Sequence, residues 1–406
     1  MGEVGGIQAR VDEARSEFER AFGAGGRRLL AVVAPARTEV AGNHTDHEGG
    51  HVIAGALDAA IVGVAAPNGT SAMNVASVGF PRVSVQLDAS NPHELDPRPE
   101  ERVTTAGLVR GMASLMAGTG RAPAGFDLAL TSDIPAGGGL SSSAALECAL
   151  GRVMEALWEG PEIDAATLAR MGQRAENDWF GKPCGLMDQM AVAQGALCFM
   201  DFHDAERPQV QRLELDLAAH GYDICLVDVG CDHSRFTDEY AAVPQEMQAV
   251  ARALGVTRLS DVAQEAFEEA VPQLREGLGD RATLRAVHYY LEEALVDQRR
   301  DALAAGDVDG FLALTRRSGA SSAMFLQNVS TAGAYQPAMV ALGLAELVLA
   351  GRGAVRIHCG GFGGTIQAFV PRDLTAQFVS RMDGWFGAGS TRAYGISDKG
   401  ARAWWL

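Results

Sequence analysis

The segment Ile134-Pro-Ala-Gly-Gly-Gly-Leu-Ser-Ser-Ser-Ala-Ala constrains the fold of this 406-residue chain more than any other. It follows an apolar run, Phe126 to Leu130, that reads as a strand, and it leads into a helix expected from Ser142 to Leu157. The apolar stripe of that helix, Leu146, Ala149, Leu150, Val153, Met154 and Leu157, keeps a 3.6-residue period. A strand, a glycine loop and a helix in this order let backbone N–H groups converge at the positive end of a helix dipole, which suits phosphate. Ser141, Ser142 and Ser143 add hydroxyls for phosphate oxygens or a magnesium ion. The loop lacks the lysine of a Walker-type P-loop and the spacing of a dinucleotide-binding fingerprint. Read alone, it could also be a surface turn with a serine N-cap.

The chain is longer than one hydrophobic core usually organises, so two domains are expected. Between Glu206 and Leu217 strand-like and charged segments replace helices, which divides the chain into 1–212 and 213–406. Met1 to Phe22 carries Glu and Arg throughout, and Ile7, Val11, Ala14 and Phe18 suit an amphipathic helix rather than a signal peptide. Leu29 to Ala34 reads as a strand, followed by a polar loop from Ala36 to Gly50. Further strands are expected at 52–66, 72–78 and 83–87, then helices at 101–116 and 165–177. Beyond a strand at 224–229, helical periodicity dominates 235–350. Strand, glycine turn and strand follow at 354–358, 360–364 and 366–371, with a helix at 373–386 and a short strand near 393. The pattern is mixed α+β.

Net charge is −17, from 51 acidic and 34 basic residues, which weighs against a nucleic-acid partner. The longest apolar run, Ala59 to Pro67, is far too short for a bilayer. The six cysteines form no C-x-x-C pair and no zinc-ligand spacing, as in a cytoplasmic protein with reduced thiols.

Two other segments carry chemistry. In Pro35-Ala-Arg-Thr-Glu-Val-Ala-Gly-Asn-His-Thr-Asp-His, Asp46 can accept two hydrogen bonds from a vicinal diol, while Asn43 and His44 can address further hydroxyls. A merely solvated loop is the alternative. In Pro183-Cys-Gly-Leu-Met-Asp-Gln, Asp188 stands among apolar residues, where a carboxylate needs a partner or caps the next helix. The cluster Gly360-Gly-Phe-Gly-Gly marks a close approach of backbone to something.

Together and in this order, these segments resemble the GHMP superfamily of small-molecule kinases and, within it, the galactokinase family. The family pattern P-G-R-x-N-L-I-G-E-H-T-D stands at Pro35 to Asp46, G-x-G-L-S-S-S-A at Gly137 to Ala144, C-G-x-M-D-Q at Cys184 to Gln189, and G-G-G-F-G-G at Cys359 to Gly364. The resemblance implies an N-terminal mixed α/β domain, a ferredoxin-like C-terminal domain and an active site in the cleft between them. It implies ATP- and Mg2+-dependent phosphorylation of the C1 hydroxyl of D-galactose or a relative such as N-acetylgalactosamine, galacturonate or arabinose. A non-catalytic sugar-binding relative is the alternative from another class. Asp188 would be base or orienter and Arg37 the transition-state arginine. Ser143 and Glu176 would hold magnesium, and Gly137, Gly138, Gly139, Leu140, Ser141, Ser142 and Ser143 the ATP phosphates. Asn43, His44, Thr45, Asp46 and Tyr240 would hold the sugar. Partners would be sugar and ATP alone, with no nucleic acid or membrane, for a monomer or weak homodimer. The chain departs from the family pattern at several places. Asn43 stands where the family has glutamate, Glu39 where it has asparagine and His47 where it has tyrosine. His358-Cys359 replaces a Thr-Gly-like pair.

Overall fold

A computed structural model describes residues 2–23, 25–88, 90–91, 93–135, 139–204, 206–214, 217–231, 236–330, 333–362 and 364–406. Strands β1 (Leu30–Ala41) and β2 (His51–Pro67) form the spine of the first sheet. Both are buried almost throughout because helices cover both faces, so they read as unbroken apolar runs rather than alternating ones. Leu30, Val32 and Ala34 face a core built with Val109 and Met112 of α2 (Thr105–Ala117), Leu150 and Val153 of α3 (Ser142–Leu157), Leu168 of α4 (Ala165–Arg174) and Met190 of α5 (Met187–Gln194). On the other face Ala31, Val33, Val62 and Val64 meet Val11, Ala14 and Phe18 of α1 (Gly2–Phe22), the stripe expected from the sequence.

The sheet runs β12–β1–β2–β5–β3–β4, with β3 (Ala72–Ser77), β4 (Val83–Gln86), β5 (Phe126–Ser132) and β12 (Arg402–Trp405). β2 is long enough to hold two partners along its second edge. Ile61 to Pro67 pairs β5, and His51 to Gly55 pairs β6 (Leu197–Asp201), which β7 (Gln209–Leu213) extends. β3 and β5 are parallel, whereas β1 pairs antiparallel with β2 and β12.

The second sheet consists of β8 (Tyr222–Asp228), β9 (Ala354–Ile357), β10 (Thr365–Pro371) and β11 (Thr391–Tyr394), in the order β11–β8–β10–β9 and antiparallel. α10 (Pro337–Leu349) leads into β9, and α11 (Arg372–Phe386) joins β10 to β11. This β-α-β-β-α-β order is the ferredoxin-like arrangement. Helices α6 (Thr237–Ala253), α7 (Gln264–Leu278), α8 (Asp280–Ala304) and α9 (Val308–Ser321) intervene before α10. One apolar cluster joins the sheets: Val40, Ile53 and Phe199 from the first meet Ile224 and Phe369 from the second, with Val296 and Phe311 between.

The expected polar loop at 36–50 is shorter than its composition suggests. β1 continues to Ala41, so Arg37, Thr38 and Glu39 lie on a strand. Its register against β2 slips between Pro35 and Arg37 and again between Glu39 and Ala41. Bulges there absorb a proline that cannot donate to the ladder and re-aim the side chains that follow. The helix expected to run to 177 changes to π-helical pitch over Ala175–Phe180, and a second π-helical turn, Ser322–Leu326, follows α9. Such turns often occur at functional sites. Among the described residues, no helix is long and apolar enough to cross a membrane.

Candidate active site

Arg37, 4% exposed, points from β1 toward the first turn of α5, where Asp188 sits. Its Nε donates to Asp188 Oδ1 and its Nη2 to Oδ2, both at 2.6 Å, a bidentate pair. Asp188 is thus not the N-cap of α5, a position held by Leu186, but a paired carboxylate. The third arm of the guanidinium, Nη1, donates to Gly139 O at 2.6 Å, and the Arg37 backbone N–H reaches Leu140 O at 3.4 Å. Burial works against the Asp188 charge, but Arg37, its hydrogen bonds and the Ser141 hydroxyl outweigh that and hold the carboxyl below its ordinary pKa. Asp188 is ionised at neutral pH.

The described part of the glycine loop begins at Gly139. Its φ of +67° suits glycine, and a Cβ there would stand 3.4 Å from Thr365 Oγ1. Ser141 also has positive φ, +57°, Leu140 is buried, and Ser142 is exposed at the start of α3. Gly137 and Gly138 lie outside the described residues. Ser143 Oγ donates to Glu176 Oε1 at 3.0 Å, so the two expected magnesium ligands are neighbours. Glu176 lies in the first π-helical turn, with Lys182 Nζ 3.6 Å from Oε1. The side-chain amide of Gln189 donates to Glu176 Oε2 at 2.9 Å and to Glu147 Oε2 at 3.0 Å. Glu147 escaped the sequence reading because it sits on the apolar face of α3. Burial, then the charge of Glu176, raises its pKa well above the usual carboxylate range.

The turn after β1 brings some of the expected sugar residues into the same cleft. Asp46 is half-buried, and no side-chain donor among the described residues meets its carboxylate. Burial raises its pKa, with His47 opposing and the nearby charges of Asp188 and Glu39 adding to the rise. Gly185 passes so close that a Cβ there would meet Asp46 Oδ2 at 1.7 Å. His44, at φ +62°, has Nε2 3.2 Å from Gly360 O, which can only accept, so Nε2 carries its proton. His44 Nδ1 then accepts from His47 Nε2 at 3.1 Å. Burial, with His47 adding, lowers the His44 pKa to about 3, so the ring is neutral. The Tyr240 ring lies against His44, centroids 5.9 Å apart, and over Gly360, where any side chain would collide with it.

Asn43 and Thr45 are not brought to the cleft. Asn43 is fully buried: Oδ1 accepts from Asn328 (2.7 Å) and Ser322 (3.2 Å), and Nδ2 donates to Cys359 O and Glu39 Oε1. Thr45, also fully buried, donates its hydroxyl to the carbonyls of Gly42 and His51. Both fasten the turn to its support. That support is a buried polar network absent from the sequence reading. Arg356 Nη2 meets Glu39 Oε1 at 2.6 Å, Arg299 pairs with Glu292, Gly42 N and Ser318 Oγ also donate to Glu292, and His288 Nε2 holds Asn43 O at 2.9 Å. Its members come from α8, α9 and β9, far apart in the chain, so no local spacing announces them.

The family departures at 39 and 43 are therefore one exchange. Carboxylate and amide have traded places at two positions that touch, Asn43 Nδ2 standing 3.3 Å from Glu39 Oε1.

Residues 107–196 match the GHMP kinases N terminal domain, and residues 16–67 match the galactokinase galactose-binding signature. A galactokinase of Glaesserella parasuis serovar 5 is 30% identical over 89% of this chain and 90% of its own. One of Actinobacillus pleuropneumoniae serotype 5b is 31% identical over 84% and 85%. Among solved structures, Lactococcus lactis galactokinase complexed with galactose superposes with a TM-score of 0.82 at 23% identity, covering 96% of this chain and 98% of that one. A mevalonate kinase superposes at 0.64 with 11% identity over 91% and 99%. The relatives at 30% identity and above cover most of the chain, and this chain belongs to the galactokinase family of GHMP kinases.

Proposed function

We propose that this chain transfers the γ-phosphoryl group of ATP to the C1 hydroxyl of D-galactose, giving galactose 1-phosphate and ADP. The observation that carries the reading is the bidentate Arg37–Asp188 pair, fixed to the glycine loop through Gly139 and sharing a cleft with the Asp46 carboxylate, which receives the His47 backbone N–H and no side-chain donor among the described residues. Phosphoryl transfer needs positioning and charge neutralisation more than covalent help. Asp188, ionised beside Arg37, accepts or orients the C1 hydroxyl, and Arg37 neutralises charge growing on the transferred group. Asp46, His44 and Tyr240 hold the sugar, and residues 137–143 the triphosphate.

A carboxylate and a hydroxyl at Glu176 and Ser143 fit a magnesium ion, which usually takes one or two protein oxygens and completes its shell with phosphates and water. Among the described residues no group of three or more His, Cys, Asp or Glu side chains is placed to hold a metal. Bound there, magnesium would neutralise phosphate charge. The division at 212–213 is proposed as the working domain boundary, with β12 returned to the first sheet. The protein is proposed to act in the cytoplasm as a monomer or weak homodimer.

A second reading, the same transfer to a sugar altered at C6, is favoured by Asn43: the resemblance assigns that hydroxyl to a glutamate here, and the amide in its place is spent inside the protein. The test is magnesium-dependent ADP release with D-galactose, galacturonate, N-acetylgalactosamine or arabinose as sole acceptor, with the product identified as a 1-phosphate by 31P NMR. Turnover with galactose above the others supports the first reading, preference for galacturonate or arabinose the second, and preference for N-acetylgalactosamine neither. No turnover with any sugar overturns both.

A further inference from the structure

His358 follows β9 and is buried, 2% exposed. Its hydrogen bonds fix which ring nitrogen carries the proton. The backbone N–H of Glu39 lies 3.3 Å from Nε2, and a backbone N–H can only donate. Thr38 Oγ1, 3.0 Å from the same nitrogen, already receives the Gln367 amide at 2.6 Å, which leaves its own proton for Nε2. Nε2 is therefore an acceptor and the neutral ring is protonated at Nδ1. Burial, with Arg37 and Arg356 close by, holds the ring pKa well below the usual histidine range, in accord with that assignment.

The Nδ1–H group is buried and has no hydrogen-bond partner among the described residues. Buried donors are rarely left so, and an orphan at a functional site points to a missing acceptor. It faces the glycine loop: a Cβ on Gly139 would stand 3.7 Å from it. Gly139 O is the atom that receives Arg37 Nη1, so the orphan donor and the arginine flank the same stretch of loop. Gly139 itself carries no side chain to fill the space beside Nδ1. A phosphorylated ligand at the loop would bring such an acceptor.

We propose that His358 Nδ1–H is a hydrogen-bond donor to a phosphate oxygen of the nucleotide held by the glycine loop, a neutral donor beside Arg37 in addition to the loop's own N–H groups. Neutrality suits the position, since a second cation would compete with Arg37 for Asp188, whereas an uncharged N–H binds phosphate and leaves that pair intact. The proposal rests on the kinase reading above.

Its test uses the full chain with 15N-labelled histidine, following the Nδ1–H resonance of His358 by NMR as a non-hydrolysable ATP analogue is added with magnesium. A downfield shift and slowed exchange of that proton are expected, and a resonance that the analogue leaves unmoved overturns the proposal. The kinetic arm compares His358→Asn, whose amide keeps a donor near the Nδ1 position, with His358→Gln, which places its amide at the Nε2 position. His358→Gln is expected to lower kcat/KM for ATP roughly 10- to 150-fold, the range for losing one hydrogen bond to a charged group. His358→Asn is expected to recover most of that, with KM for the sugar unchanged in both. Equal impairment of the two variants overturns the donor role. Should the wild-type chain turn over no sugar, the kinase reading fails, and the NMR titration still decides whether His358 meets the nucleotide.

Discussion

Glu39 and Asn43 offer a perturbation whose size follows from the structure. Glu39 is 3% exposed and pairs at 2.6 Å with Arg356, which is fully buried. Breaking a buried ion pair from one side leaves the other charge uncompensated and costs about 3–5 kcal/mol. Arg356 also feels Glu292, so Glu39→Asn belongs at the lower end, about 3 kcal/mol. Asn43→Glu sets a second buried carboxylate against Glu39 and removes the amide donor that Cys359 O and Glu39 receive, which by the same reasoning costs about 3 kcal/mol. Independent effects would sum to about 6 kcal/mol. If the two positions exchange one carboxylate and one amide, the double variant Glu39→Asn/Asn43→Glu keeps a charge beside Arg356. It should lose no more than about 3 kcal/mol, a coupling energy of about 3 kcal/mol. Guanidinium unfolding of all four proteins, followed by tryptophan fluorescence, measures the cycle. A double variant destabilised by the full sum would refute the exchange.

Three further outcomes are expected. Asp188→Asn should lower kcat roughly 10²–10⁴-fold while a fluorescent ATP analogue still binds, and near-normal turnover would remove Asp188 from the reaction. Because burial and the charge of Glu176 favour the protonated form of Glu147, Glu147→Gln should cost little thermal stability and leave turnover within about twofold of wild type; a large loss of either would show that its charged form is needed. Stability should fall on mild acidification. His44 is held at about 3 when folded and titrates near 6.5 when unfolded, so the unfolded chain binds the extra proton. The contribution is complete above pH 6.5 and is lost as pH falls toward 3, at about 1.4 kcal/mol per pH unit. His288 and His358, also lowered by burial, act in the same direction. Chemical unfolding at pH 7.5 and 5.5 tests this, and equal stability at the two would contradict neutral, buried rings.

Much of the site was legible because its parts are local. Gly139 to Ser143 and Asp188-Gln189 each declare themselves within a few residues, through glycine spacing or a carboxylate among apolar neighbours. The first helix was equally plain, since Val11, Ala14 and Phe18 mark its buried face. What stayed hidden depends on distant pairing. Nothing near Asn43 says that Asn328 and Ser322 will consume its amide, and a polar composition made residues 36–41 look like loop when β2 was to bury them in a sheet. Strand β6 was missed because five residues carry too little periodicity, and β12 because its partner lies at the other end of the chain.

That last pairing has a bearing on how the protein is made. Leu30 to Val33 hydrogen-bonds to Arg402 to Trp405, so the edge of β1 stays open while a ribosome completes nearly everything in between. An unpaired apolar edge is a template for aggregation, and here it persists through most of translation. A nascent chain stalled after β7 would carry Leu30 to Val33 as an open edge, so the first domain should need chaperone protection until β12 emerges. Emergence of β12, rather than completion of β1 to β7, then marks the earliest moment at which that edge of the sheet is sealed.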